Sequence, residues 1–113
     1  MIILENPLTR DALKEIAERS FGDMVKGVVD VNRELLAVDA ELQSDLQSLL
    51  LDNGSSQKHL WGINLYPDLA GDDFLEFDSM INMRPSQGNM SRGVDDERIR
   101  RIIVKIINRW IAR

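Results

Sequence analysis

The sequence predicts a single α+β domain, with a four-stranded, mainly antiparallel sheet, helices packed mainly on one face, and the order αββαββα. Three observations lead to this fold class. The chain has 113 residues, enough for one hydrophobic core and too few for two, so residues 1–113 are taken as one domain. Segments whose apolar residues are spaced as in a helix are followed by segments whose apolar residues recur at every second position, as in a strand. The connections between these segments are short, which favours antiparallel neighbours.

The N-terminal third predicts a helix followed by a hairpin. Thr9 is a good N-cap for the helix, and Gly22 is placed to end it. Two strand-like runs follow, residues 24–31 and 34–38, with a short polar join between them. The valines of the first run favour a pleated surface.

The middle of the chain predicts a second helix and two further strands. Leucines spaced along one helical face follow Asp39, a candidate cap, and Asn53-Gly54 can end this helix. Residues 61–66 alternate between apolar and small or polar side chains, and residues 74–84 alternate for longer, which predicts the third and fourth strands. On the fourth strand, Phe74 and Met80 are expected on the exposed face, where an apolar patch would mark an interface.

The last helix is expected to form the centre of the core. Its cap is predicted at Asp95 or nearby, and both tryptophans of the chain, Trp61 and Trp110, are expected to be buried with hydrogen-bonded indoles. The apolar stripe of the helix consists of Ile99, Ile102, Ile103, Ile106, Ile107, Trp110 and Ile111.

Composition excludes several classes of protein. The absence of cysteine excludes a disulfide scaffold and a thiolate nucleophile. A net charge of −5 makes general nucleic-acid binding unfavourable. No apolar run is long enough to span a membrane, and the first residues lack the features of a signal peptide, so a cytoplasmic location is expected.

Catalytic signatures are not found in the sequence. It contains no glycine-rich nucleotide motif, no nucleophile elbow and no zinc-hydrolase motif, and it identifies no cofactor. The single histidine, His59, lies in a polar linker typical of a solvated side chain. Glu76 and Asp78 project from the same face of a strand, about 7 Å apart, and are weak candidates for a metal site. The simpler interpretation is a solvent-facing side of the sheet.

The segment between the fourth strand and the last helix is the best candidate for a binding site. It combines arginine, amide and hydroxyl side chains with glycines that allow a close approach to a ligand. The alternative is that these groups only satisfy one another. The predicted binding residues are Arg84, Ser86, Gln87, Asn89 and Arg92 of the segment, with Asn64 and Asn82 on the adjacent sheet face.

Two segments carry a resemblance to a known family. These are Leu60-Trp61-Gly62-Ile63-Asn64-Leu65-Tyr66-Pro67 and the run from Glu76 to Asn89 that reads EFDSMINMRPSQGN. Together they resemble a family of short prokaryotic proteins of unknown function, and the similarity extends over almost the whole chain. The family has no established activity, so the resemblance implies neither a reaction nor a cofactor.

The sequence therefore favours a small non-catalytic binding or assembly module that uses the 84–93 loop and the adjacent sheet face. A small anionic ligand, a protein partner and self-association into a homo-oligomer are the expected interactions. One alternative is a metal-assisted hydrolase acting on phosphoesters, with Glu76 and Asp78 at the metal. Another is a regulator of the toxin–antitoxin type, suggested only by size and architecture.

Overall fold

A computed structural model describes residues 1–113. Its three α-helices are α1 (Arg10–Glu18), α2 (Gln43–Asp52) and α3 (Glu97–Trp110). Its strands are β1 (Ile2–Ile3), β2 (Leu8–Thr9), β3 (Val25–Asp30), β4 (Leu35–Val38), β5 (Leu60–Leu65), β6 (Leu75–Glu76) and β7 (Ile111–Ala112).

The main sheet has five strands in the order β1-β4-β3-β5-β6, and every neighbouring pair is antiparallel. The central pair is β3 with β5, in register from Val25 opposite Leu65 to Asp30 opposite Leu60. The predicted α+β class is confirmed. The predicted number of strands and their order are wrong in detail, because the short β1 adds an edge that its two residues are too few to reveal in the sequence.

A second, two-stranded sheet joins the beginning and the end of the chain. Leu8 pairs with Ile111 and Thr9 with Ala112 in a parallel ladder. The last isoleucine of the predicted helical stripe, Ile111, therefore belongs to a strand, although it is buried as expected. No helix of this fold is both long enough and apolar enough to cross a lipid bilayer.

The predicted fourth strand is the largest correction. Of residues 74–84, only Leu75–Glu76 pair with β5, and the chain then folds into a 3-10 helix at Met80–Asn82. Phe74, expected on an exposed face, is fully buried, whereas Met80 is 63% exposed. An alternating pattern produces a strand only where a neighbouring strand can pair with its backbone. Here a side chain, and not the backbone of residues 77–84, bonds the free edge of β5.

Asn82 closes the edge of β5 where β6 ends. Its Oδ1 accepts from the backbone N–H of Gly62 at 2.9 Å, and its Nδ2 donates to the carbonyl of Gly62 at 3.0 Å. The amide thus makes the two bonds that a residue of a neighbouring strand would make. A side chain at Gly62 is sterically excluded, because its Cβ would lie 2.5 Å from Cβ and Oγ of Ser79.

The helices lie on both faces of the main sheet. Helices α1 and α3 cover one face, where they pack on residues such as Val29 and Ile63. Helix α2 covers part of the other face, with Leu46 and Leu50 against Val28. Two of the three helices therefore share a face, as expected. The leucine stripe of α2 did not reveal its placement, because a stripe shows that one side of a helix is buried but not which face of the sheet that side covers.

The helix termini agree with the sequence in part. Thr9 caps α1 by accepting from Ala12 N–H at 3.1 Å, and Gly54 takes a φ of +105° just beyond α2, both as predicted. Asp39 does not cap α2, which begins after Leu42. The cap of α3 is Asp96, whose Oδ1 accepts from Arg98 N–H at 2.8 Å.

The prediction for the tryptophans is confirmed for burial, since Trp61 and Trp110 are each 8% exposed. The indole of Trp110 donates to the carbonyl of Glu34 at 2.8 Å. The expected acceptor for Trp61 is not found, and its buried Nε1 has no partner in the chain. Instead, the guanidinium of Arg84 stacks on its ring, 4.1 Å from the centroid.

Two neighbouring isoleucines of α3 test the orientation of that helix. Ile103 is fully buried, whereas Ile102, predicted on the same stripe, is 39% exposed. We expect Ile103→Asp to prevent stable folding, because it places a carboxylate in the core without a partner. Ile102→Asp, the matched control, should change the free energy of unfolding by less than about 1 kcal/mol in urea titrations. Equal midpoints for the two variants would show that α3 faces the other way.

Asn82→Ala removes the closure of the β5 edge. We expect it to lower the free energy of unfolding by about 2–3 kcal/mol, because the buried N–H and carbonyl of Gly62 lose their partner. Asn108→Ala, at an exposed position on α3, is the control and should be close to neutral. A small effect of Asn82→Ala in chemical denaturation would mean that water replaces the amide.

Candidate functional site

A groove lined mainly by polar side chains lies on the sheet face that α2 only partly covers. We call it the polar groove, and its volume is about 340 Å³. Strands β3, β5 and β6, the first residue of α2 and the segment after β6 supply its walls. The lining residues are Met24, Lys26, Gln43, Asn64, Tyr66, Glu76, Asp78 and Arg92.

The floor of the polar groove is a row of three side chains across three strands. Lys26 on β3 is directly opposite Asn64 on β5, and Asn64 is directly opposite Glu76 on β6. Residues opposite one another in a sheet project from the same face. Neighbouring strands are about 4.8 Å apart, so Lys26 and Glu76 begin roughly 10 Å from each other with the asparagine between them.

Hydrogen bonds fix the side chains around Asn64. Its Nδ2 donates to Oε1 of Glu76 at 2.8 Å, and its Oδ1 accepts from Nε2 of Gln43 at 3.3 Å. Gln43 also donates to the carbonyl of Ile63 at 2.8 Å, which ties the start of α2 to the sheet. Tyr66 donates its hydroxyl to the same Glu76 oxygen at 3.0 Å. The groove is therefore held in shape before any ligand enters.

The charges of the polar groove balance. Asp78 and Arg92 form an ion pair at 2.6 Å, with both side chains about half exposed. The ammonium of Lys26 lies 4.9 Å from the centre of the Phe21 ring and is in no ion pair of the chain. Glu76 receives neutral donors only. One cation and one carboxylate thus remain without an oppositely charged partner.

The acid–base chemistry of Tyr66 follows from these neighbours. Partial burial raises the pKa of Tyr66, and the hydrogen bond to Glu76 and the negative charges of Glu76, Asp23 and Asp78 raise it further. A raised pKa keeps the phenol protonated at neutral pH. Tyr66 is therefore suited to hold a ligand or a carboxylate by donating a hydrogen bond, and poorly suited to act as a base or nucleophile.

Two of the residues predicted to bind a ligand lie in the polar groove. Asn64 is at its centre and Arg92 at its rim. Asn64 is 6% exposed, and its amide is already bonded on both sides. Arg92 keeps its Nη2 free, because its Nε bonds Asp78 and its Nη1 contacts the sulfur of Met80 at 3.2 Å.

Arg84 lies away from the groove and braces the backbone. It is 8% exposed, and its guanidinium donates to the carbonyls of Gln57, at 2.8 Å, and Leu60. Burial lowers the pKa of this guanidinium from its usual value. These contacts tie the predicted binding loop to the start of β5.

Asn82 and Asn89 bond mainly to backbone atoms. Asn82 holds Gly62 and also donates to the carbonyl of Arg92 at 2.9 Å. Asn89 donates from Nδ2 to the carbonyls of Asn82, Ser91 and Gly93. Its Oδ1 accepts from the N–H of Asp95 at 2.8 Å. Much of the polar character of the loop therefore serves its own conformation, which is the alternative that the sequence left open.

The other predicted residues of the loop do not line the polar groove. Gln87 and Asn89 line a cleft of about 540 Å³ with His59, Trp61 and the start of α3. Ser86 is exposed and has no side-chain hydrogen bond within the chain. Six of the seven predicted residues are thus divided between the polar groove, the cleft and the backbone contacts of the loop, and Ser86 belongs to none of these.

The two weak metal candidates, Glu76 and Asp78, both line the polar groove. Asp78 pairs with Arg92, and Glu76 accepts from Asn64 and Tyr66. Nowhere does the chain bring together three or more histidine, cysteine or carboxylate side chains that could hold a metal ion. The arrangement offers hydrogen bonds and charges rather than a coordination sphere.

Three polar residues that line the polar groove were not among the predicted site residues: Lys26, Gln43 and Tyr66. The alternation of residues 61–66 already placed Tyr66 on the face of Asn64, so its role could have been found. Lys26 needed the register of β3 against β5, and Gln43 needed the knowledge that α2 covers this face.

Tyr66 is the only tyrosine of the chain, so its ionisation can be followed by absorbance near 295 nm. We expect a pKa above that of free tyrosine, and we expect Glu76→Gln to lower it by removing the adjacent charge. The folded state holds the Tyr66 proton more tightly than the unfolded state does. The protonated phenol therefore contributes its full stability below the unfolded pKa of about 10, and this contribution is lost as the pH rises through the folded pKa. Asp45→Asn is the control, and an equal shift in that variant would contradict the assignment.

Comparison with known proteins places this chain in a family. Searches of curated proteins and of solved structures each found no significant match. The sequence profile of the family described as "Protein of unknown function (DUF5674)" matches residues 2–110. That match includes every lining residue of the polar groove and confirms the resemblance to a family without assigned activity. The chain therefore belongs to the DUF5674 family of proteins of unknown function.

Proposed function

We propose that this protein is a non-catalytic binding module whose polar groove holds a small ligand carrying both a negative or carbonyl end and an amine or amide end. One observation supports this most directly: the row Lys26–Asn64–Glu76 presents a cation and a carboxylate, neither paired with an opposite charge, on either side of an amide. An α-amino acid or a short peptide has the complementary arrangement of charges.

The ends of such a ligand would meet different walls. A carboxylate or carbonyl oxygen would accept from the Lys26 ammonium, which lines the groove together with Gln43 at the start of α2. An amine or amide N–H would donate to Glu76, whose second oxygen has no hydrogen bond within the chain. Arg92, exposed at the rim, can reach a further acceptor through its free Nη2.

The rigidity of the groove supports binding rather than catalysis. Gln43, Asn64 and Tyr66 are held by one another and by the sheet, so little side-chain freedom would be lost when a ligand enters. The one hydroxyl of the groove, that of Tyr66, donates to Glu76, and its raised pKa keeps it protonated, so it is poorly suited to act as a nucleophile.

The alternatives have less support. A metal-assisted hydrolase would use Glu76 and Asp78 as ligands, but Asp78 already pairs with Arg92, and no third histidine, cysteine or carboxylate side chain joins them. A regulator of the toxin–antitoxin type is suggested only by size and α+β architecture. Self-association has one point in its favour, the exposure of Met80, Met83 and Met90, at 63%, 45% and 66%.

The proposal is tested by titrating the protein with the standard L-amino acids and with glycyl dipeptides, followed by thermal shift and calorimetry. A ligand that binds only the folded state raises the melting temperature. We expect at least one of these compounds to do so, and acetate or methylamine alone to be ineffective, because each supplies only one end. Lys26→Ala and Glu76→Gln should each weaken binding about tenfold or more.

Lys105→Ala, an exposed lysine on α3 far from the groove, serves as the control and should bind as the wild type does. The proposal fails if none of the probes binds, or if binding survives both groove variants unchanged.

A further inference from the structure

A cavity of about 600 Å³ lies on the opposite face of the sheet from the polar groove. Its apolar wall is formed by Leu75 and Phe77 from the segment at β6, Val104 from α3, and Ala70. Leu75 and Glu76 are neighbours on β6, so their side chains project to opposite faces, one into this cavity and one into the groove. We call it the arginine cavity, because Arg10 and Arg113 also line it.

The two arginines are placed around one buried ring. Phe74 is fully buried beneath the cavity, with Arg113 4.4 Å and Arg10 5.6 Å from its centroid. Arg10 is held in position by the carbonyls of Pro67 and Leu69. The rigid guanidinium of Arg10 is thus positioned by neutral acceptors, which leave its charge in place.

Neither arginine is neutralised by a carboxylate. The ion pairs of the chain involve other residues, and Arg113 bonds only the neutral side chain of Asn108. The cavity contains one acidic side chain, Asp72, which is exposed. The charged side chains that line the cavity are thus two arginines and one aspartate, an excess of positive charge on a chain whose side chains sum to −5.

The apolar wall is accessible rather than sealed. Leu75 and Phe77 are only partly buried against the core, and Val104 is 38% exposed. A cavity of this volume falls in the range that holds small molecules, which is roughly 300–1,000 Å³. Burial of an apolar ligand against this wall would remove apolar surface from water and so favour binding.

We propose that the arginine cavity is a binding site for a small monocarboxylate with an apolar body. The carboxylate lies at Arg113 and Arg10, where guanidinium groups favour planar anions, and the apolar body lies against Leu75, Phe77 and Val104. Neither the charge nor the apolar wall alone defines this ligand, because a fully polar anion leaves the wall in water and a neutral hydrocarbon leaves the arginines unused. The site is independent of the ligand proposed for the polar groove.

The test uses n-octanoate as the probe, below its micelle concentration, with acetate and n-octylamine as the two half-matched compounds. Binding is followed by calorimetry and by the amide shifts of residues 70–77 and 104 in two-dimensional NMR. Octanoate is expected to bind at least tenfold more tightly than either comparison compound. Equal binding of octylamine would show a merely apolar surface, and equal binding of acetate a merely cationic one; either result overturns the proposal.

Helix α3 offers a matched pair of variants. Val104 and Ile102 are almost equally exposed, at 38% and 39%, but only Val104 lines the cavity. Val104→Glu should abolish octanoate binding, because it adds a negative charge and covers the apolar wall, while Ile102→Glu should leave it within twofold of the wild type. Arg113→Gln should weaken it about tenfold, with Arg109→Gln as its control. Retention of binding in Val104→Glu, or equal loss in both glutamate variants, refutes the site.

Discussion

Gly62 and Asn82 form the contact on which the rest of this fold depends. The amide of Asn82 bonds both backbone groups of Gly62, and the absence of a side chain at Gly62 lets Ser79 and its neighbours lie against β5. A buried sheet edge with unpaired N–H and carbonyl groups is costly, so some partner is required where β6 ends. Because that partner is a side chain, the backbone after Glu76 is free to leave the sheet.

Both candidate sites follow from this departure. A full-length fourth strand would have extended the sheet over the space that the segment after β6 now leaves open. Instead, the chain rises above β5, turns at the 3-10 helix Met80–Asn82, and brings Arg92 back beside Asp78 to form the rim of the polar groove. On the other face, the same short β6 leaves Leu75 and Phe77 partly uncovered next to α3. Binding surfaces thus arise on both sides of one two-residue strand.

The features predicted well from the sequence are those with a local cause. Thr9 caps α1 through a contact three residues away, and the spacing of Ile103, Ile106 and Ile107 placed α3 in the core. The features predicted poorly depend on distant partners. Nothing near Asn82 in the sequence indicates that its amide bonds Gly62 rather than a ligand, and nothing in the leucines of α2 indicates which face of the sheet they cover. Asn64 was recognised as a candidate, but Lys26 was not, because their adjacency is a matter of register.

The parallel pairing of β2 with β7 has a consequence for the order in which the protein folds. Leu8 and Thr9 pair with Ile111 and Ala112, which lie far from them in the sequence. Contacts between such distant segments form slowly, because a long loop must close before they can stabilise the chain. The β3–β4 hairpin joins neighbouring segments and can form early, but Val25 and Val29 stay uncovered until α1 and α3 pack on the same face. A chain in which only this hairpin has formed therefore exposes apolar surface that favours aggregation.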